Sequence, residues 1–198
     1  ASTWQSDRGH YAIGTDMILL NTELREREAF ASRVGVSVPR SQSIDLGVFY
    51  EEVFRPHTRA KVTGGFRVDF MWNDARDDPD AALGRITEFD GVSIDQRFIM
   101  YAGYLTGEYR LTPEWTVDVG FGTSQRPPTL TDMYANFAFI GSLQRGVTSL
   151  FGSPALEPER IYQIDLGTQY KTDRWNLGIH AFHAWIEDYL TYELNGQP

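Results

Sequence analysis

The chain has no cysteine, which excludes a disulfide framework, a thiol nucleophile and any zinc–thiolate centre. It also lacks any run of about 18 apolar residues, so no segment reads as a transmembrane helix. A closed barrel is then the one way left for it to span a membrane. Basic residues are in the minority, 18 Lys+Arg against 27 Asp+Glu, a formal net charge of -9. That balance argues against nucleic acid, whose phosphates demand basic patches. The opening residues, Ala1-Ser2-Thr3-Trp4-Gln5-Ser6-Asp7, carry neither a basic nor an apolar region, so no signal peptide is read there. Neither a Gly-x-Ser-x-Gly elbow nor a His-Glu-x-x-His motif is present, and no enzyme or catalytic residue is expected.

Histidine is scarce as well: His10, His57, His180 and His183. The last two stand three apart, which on a strand sends them to opposite sides, and Glu187 does not rescue a metal pair. Asp74, Asp77, Asp78 and Asp80 form an acidic cluster without the Asp-x-Asp-x-Asp-Gly spacing and distal glutamate of a calcium hand. It reads as a solvated loop face. No metal site and no cofactor is expected.

What the chain does have is strict period-two alternation. From Ala60 to Trp72 the even positions are Ala60, Val62, Gly64, Phe66, Val68, Phe70 and Trp72, and the odd ones Lys61, Thr63, Gly65, Arg67, Asp69 and Met71. A strand sends successive side chains to opposite faces, so this one has an apolar face and a largely polar one. The same alternation sets Ile44, Leu46, Val48, Tyr50 and Phe54 against Asp45, Gly47 and Glu51. It sets Ile99, Tyr101, Leu105 and Tyr109 against Thr106, Glu108 and Arg110, and Trp115, Val117, Val119 and Phe121 against Thr116 and Asp118. Tyr162, Ile164, Leu166 and Tyr170 oppose Gln163, Asp165 and Gln169, while Trp175, Leu177, Ile179 and Ala181 oppose Asn176, Gly178 and His180. A weaker strand runs roughly from His10 to Leu24, its alternation blurred by Ile18-Leu19-Leu20. Seven strands are predicted.

Short turns alternate with long connections. Arg55 to Arg59, Thr112-Pro113-Glu114 and Lys171 to Arg174 are tight, with Pro, Thr and Asp supplying turn chemistry. Between them lie roughly Arg25 to Ser43, Asn73 to Arg97 and Ser124 to Arg160, and structureless loops beyond about 15 residues are uncommon in compact soluble domains. Short–long alternation suits a transmembrane β-barrel, with lipid outside, water inside and every second turn in the periplasm. Aromatics near strand ends (Tyr50, Phe54, Trp72, Tyr109, Trp115, Tyr170, Trp175) suit interfacial girdles. The pattern alone leaves two other readings open. One is a self-contained small outer-membrane barrel acting as adhesin or structural protein, and the other a secreted carbohydrate-binding β-sandwich with its apolar faces against a second sheet.

Five motifs narrow this. Gly122-Thr123-Ser124-Gln125-Arg126-Pro127-Pro128-Thr129-Leu130-Thr131-Asp132-Met133-Tyr134 resembles the Gly-x-x-x-Arg-x-Pro-x-x-x-Glu-x-Tyr passage of TonB-dependent outer-membrane receptors. Gly152-Ser153-Pro154-Ala155-Leu156-Glu157-Pro158-Glu159, followed by Ile164-Asp165-Leu166-Gly167, resembles the family's Gly-Asn-Pro-x-Leu-x-Pro-Glu box and the strand after it. Ala181-Phe182 through Ile186, Asp188 and Leu190 resembles its Ala-Phe-x-x-x-Ile-x-Asp-x-Ile strand. Asp45-Leu46-Gly47-Val48-Phe49-Tyr50-Glu51-Glu52 and Gly64-Gly65-Phe66-Arg67-Val68-Asp69 resemble two upstream strands. The likeness runs from Asp45 to Leu190 in the family's order, with Asp132 for the usual Glu, Ser153 for Asn and Glu51-Glu52 for Gln-Asp.

The resemblance implies an all-β, antiparallel up-and-down meander, a partial transmembrane barrel of about seven strands. Residues 1–198 would be an interior part of a barrel of about 22 strands, with the plug domain and the rest of the barrel outside this chain. It implies a receptor in the outer membrane of a Gram-negative-type bacterium, with lipid around it, the TonB complex reached through the plug, and a small-molecule or metal-chelate cargo. A ferric siderophore is the default. Haem is disfavoured, because no histidine lies between Arg126 and Glu159, where the family's haem receptors carry one. Candidate ligand-binding residues are Arg126, Tyr134, Asn136, Phe137, Phe139 and Arg145, since exposed aromatics and arginines are the usual anchors. Arg67, Asp69, Asp118 and Asp165 are expected on the lumen wall.

Overall fold

The computed structural model describes residues 2–6, 9–27, 34–76, 93–140 and 148–192. Ten strands and one short helix follow in order: β1 Ser2–Ser6, β2 Gly9–Arg27, β3 Val34–His57, β4 Ala60–Ala75, β5 Gln96–Arg110, β6 Trp115–Arg126, α1 Leu130–Tyr134, β7 Asn136–Ile140, β8 Thr148–Phe151, β9 Glu159–Lys171 and β10 Asn176–Glu187. Eight strands form one sheet in the order β1-β2-β3-β4-β5-β6-β9-β10, and β7-β8 form a separate hairpin. Every pairing is antiparallel between neighbours. No helix of the described residues is long and apolar enough to cross a membrane, which says nothing about strands.

The meander stands, and its strand count is corrected from seven to eight. The addition is β1, five residues whose pattern is too short to announce itself but which pair with β2 from Ser2↔Ile13 to Ser6↔Gly9. A second correction concerns Arg25 to Ser43, which is mostly strand. β2 runs 19 residues and β3 24 residues, well beyond the 9–11 or so that a tilted membrane strand needs. The hidden feature is an irregularity in register between Thr22 and Arg25, opposite Pro39. Proline cannot donate to a ladder, and a bulge is where a strand tolerates it.

The register puts Val62, Phe66, Val68, Val117, Val119, Ile164 and Leu166 on one face, and Arg67, Asp69, Asp118 and Asp165 on the other. Across the strands Gly107 pairs with Val119 and Val119 with Leu166, while Glu108 pairs with Asp118 and Asp118 with Gly167. The apolar face is bare: Phe66 is 58% exposed, Leu166 58% and Ile179 73%. Among the described residues no second sheet covers it, and so broad an apolar surface marks a partner, here lipid or protein. The buried side chains gather instead at the long-connection end, where Val38 packs with Ala135 and Leu150 and α1 packs on Ala75, Ile94 and Phe98.

At the other end, two tight turns repeat one device. Thr112 Oγ1 accepts from the backbone N–H of Glu114 and Trp115, and Thr172 Oγ1 from those of Arg174 and Trp175. A threonine closing its own turn in this way stands in for a missing backbone bond. Both turns thereby place a tryptophan at the base of the following strand.

Candidate functional site

At the long-connection end, β6 stops because Pro127-Pro128 cannot extend a ladder. Thr129 then caps a five-residue helix. Its hydroxyl accepts from the N–H of Asp132 at 3.1 Å, and its own N–H donates to Asp132 Oδ2 at 2.9 Å, a reciprocal capping box. The departure from the family's glutamate is thus a functional cap with a shorter side chain. Past the helix, Gly152 N–H donates to Ala135 O at 2.7 Å and Ser153 N–H to Asp132 O at 2.8 Å. A Cβ on Gly152 would sit 2.7 Å from both Asp132 O and Met133 C, so only glycine allows this approach.

The two boxes meet in a bidentate pair: Arg126 Nε and Nη2 each donate to Glu159 at 2.9 Å. Glu159 Oε2 also accepts from Leu190 N–H at 3.2 Å, and Tyr192 donates its hydroxyl to Asp132 Oδ1 at 3.1 Å. Tyr134 is 0% exposed and donates to the carbonyl of Ile94 at 2.7 Å. Burial first, and the nearby charges of Asp95 and Asp74 second, push its hydroxyl pKa well above the usual range.

The structure therefore divides the six expected ligand residues. Arg126 keeps an exposed side chain but is engaged with Glu159. Tyr134 is corrected: it is a core residue of the helix, with no surface to offer a ligand. Asn136 is half-buried at the start of β7, and Phe137 and Phe139 follow it in that strand with side chains outside the described residues. Arg145 lies outside the described residues, as do Asp77, Asp78 and Asp80 of the acidic cluster.

The polar face of the sheet bears the wall residues. Arg67 donates from Nε to Asp69 Oδ1 and Oδ2 at 2.8 and 2.9 Å, and from Nη1 and Nη2 to Asp16 at 2.6 and 2.8 Å. The guanidinium lies across Gly47, where a Cβ would fall 2.7 Å from Asp69 Oδ1. Gln163 Nε2 donates to Asp165 at 2.8 Å, and His180 Nδ1 stands 4.0 Å from Asp118. Arg67 and Asp69 are thus brought into contact, whereas Asp118 and Asp165 occupy separate places on the same face. A hollow of about 590 Å³ opens there, lined by Phe49, Arg67, Tyr104, Gln163 and Asp165 among others.

Sequence reasoning missed Asp16 and Tyr104. Asp16 is the one charged residue between Tyr11 and Asn21, a signal hidden by the blurred alternation of β2. Tyr104 is an aromatic on the polar side of its strand, and its hydroxyl reaches Glu51 at 2.5 Å across Gly65, whose missing Cβ leaves room for the ring. These groups offer hydrogen bonds and charge.

The family profile described as "TonB dependent receptor-like, beta-barrel" matches residues 4–198. A comparison with curated protein sequences finds no match. Among solved structures, the chain is similar to "Copper transporter OprC" with a TM-score of 0.69 and 17% identity, covering 94% of this chain and 29% of that one. It is also similar to the "Ferric-Catecholate import receptor Fiu from K12 E. coli", with a TM-score of 0.63 and 14% identity over 99% of this chain and 31% of that one. The chain spans less than a third of the length of either structure, and identities this low show the fold alone. The profile spans nearly every residue, and the chain belongs to the TonB-dependent receptor-like β-barrel family of the Gram-negative outer membrane.

Proposed function

We propose that the chain is part of the barrel of a receptor for active, TonB-dependent uptake of a scarce nutrient, with a ferric siderophore as cargo. The carrying observation is the two-faced eight-strand sheet with its helix–hairpin assembly gathered at one end. In this reading the apolar face meets lipid, the polar face lines the lumen beside a plug supplied by the rest of the receptor, and the long connections face outside the cell. The import receptor to which the chain is similar carries a ferric catecholate, and the other structure a copper transporter's name, so the siderophore assignment rests on the family default. Within this portion the mechanism is binding, with no bond made or broken. Capture is assigned to the connection after α1, with Asn136, Phe137, Phe139 and Arg145, and with Arg126 at its base.

Deleting Asn136 to Ser149 in the full-length receptor tests this. The deletion spares Leu150, which packs on Val38 and Ala135, and outer loops contribute little to strand pairing. Expected is loss of ferric-siderophore binding by cells whose surface expression stays normal. Unchanged affinity at normal expression would overturn the capture assignment and move the site to the wall around Arg67 and Asp69.

A further inference from the structure

We infer that α1 couples three separate connections at its end of the barrel, so that they shift as one unit. The first is the β4–β5 connection, whose Ile94 carbonyl accepts the hydroxyl of the fully buried Tyr134 and whose flanks, Ala75 and Phe98, pack on the helix. The second is the stretch into β9, held by the two backbone bonds from Gly152 and Ser153. The third is the segment after β10, held through Leu190 and Tyr192.

What makes these one device is that two carboxylates each serve two segments. Asp132 uses Oδ2 to accept from the N–H of its helix cap and Oδ1 to accept from Tyr192. Drawing Tyr192 away therefore turns the carboxylate that closes the capping box. Glu159 accepts from Arg126 with both oxygens and from Leu190 with one of them, so the third segment also bears on the pair joining β6 to β9. The far side is packed tightly, because even a Cβ on Gly152 would stand 2.7 Å from the helix backbone at Asp132 and Met133. Coupling between sites is carried by packed elements of this kind, and it is reciprocal.

The test is amide hydrogen exchange in the full-length receptor, a readout that involves no cargo and so stands apart from the capture assignment. Tyr134→Phe removes one hydrogen bond and keeps the ring. It should raise exchange about threefold to tenfold at 93–96, as a net bond of ordinary strength implies. A rise of similar size should also appear at 190–192, which Tyr134 does not touch. Tyr192→Phe, at a residue 60% exposed, should in turn raise exchange at 152–153 and 93–96, and it carries the test where Tyr134→Phe fails to assemble. Amides of β4, of β5 beyond Gln96 and of β6 should keep their wild-type rates in both variants. Increases confined to the segment that lost its own bond, or no increase at all, would overturn the coupling.

Discussion

Single atoms decide several positions in this chain. A Cβ on Gly152 would meet backbone of Asp132, Met133 and Ala135 at 2.7–2.8 Å, and backbone cannot swing aside as a long side chain can. Gly152→Ala should cost about 1–3 kcal/mol through overpacking and show as faster proteolysis between α1 and β9. Gly107→Ala is the matched control, because its Cβ meets only Val119 Cγ1 at an ordinary 3.6 Å. On the bare face, Val119 is 52% exposed and lies mid-strand. Val119→Arg should cost about 2–4 kcal/mol for a position near the bilayer midplane, measured as a lowered denaturant midpoint for the receptor in lipid. Which residues share a face was legible from alternation alone, since Arg67 and Asp69 stand two apart and Val68 between them points away, as Phe66 does. That Asp16 completes the Arg67 pair was not, because it depends on the register of β2 against β3, which no one-strand pattern contains.

At the scale of elements, the longer strands of the sheet announced themselves, whereas β1, the β7–β8 hairpin and the helix did not. Five residues are too few for a 3.6-residue period to show, and the only trace was Pro127-Pro128 followed by Thr129-x-x-Asp132. The long β2–β3 hairpin escaped for a related reason, since its alternation is broken at the irregularity opposite Pro39. Both features are held by tertiary contacts, which override local preference. The helix carries a prediction about alkali. In the folded protein Tyr134 holds its proton more tightly than its ordinary value of 10.0. A raised folded-state value means its contribution to stability is fully present below pH 10.0 and is lost as pH rises beyond it. Ultraviolet titration of the receptor should therefore show a tyrosine that ionises late and only as the helix loosens. Tyr134→Phe should remove one tyrosine from that late component, and an undiminished late component in the variant would assign it to other tyrosines.

At the scale of the whole molecule, an eight-strand antiparallel sheet with β1 and β10 at its edges covers less than a third of either structure to which it is similar. The full receptor would pair those edges, and closure removes exposed edges altogether. What the apolar face meets can be read with tryptophan, because the native residues stand near strand ends. Trp115 opens β6 and Trp175 immediately precedes β10, each beside a tight turn, while Trp72 lies toward the opposite end of its strand. In lipid vesicles, lipids brominated deep in their chains should quench a tryptophan placed at Val119 more strongly than they quench Trp115 or Trp175, which belong at the interface. A tryptophan placed at Thr106, on the polar face by its pairing with Thr63 and Gly120, should escape deep bromine entirely. Equal protection of Val119→Trp and Thr106→Trp from bromine would mean that protein covers the apolar face. The sandwich would then replace the barrel, since only in a barrel does alternation along one strand separate lipid from lumen.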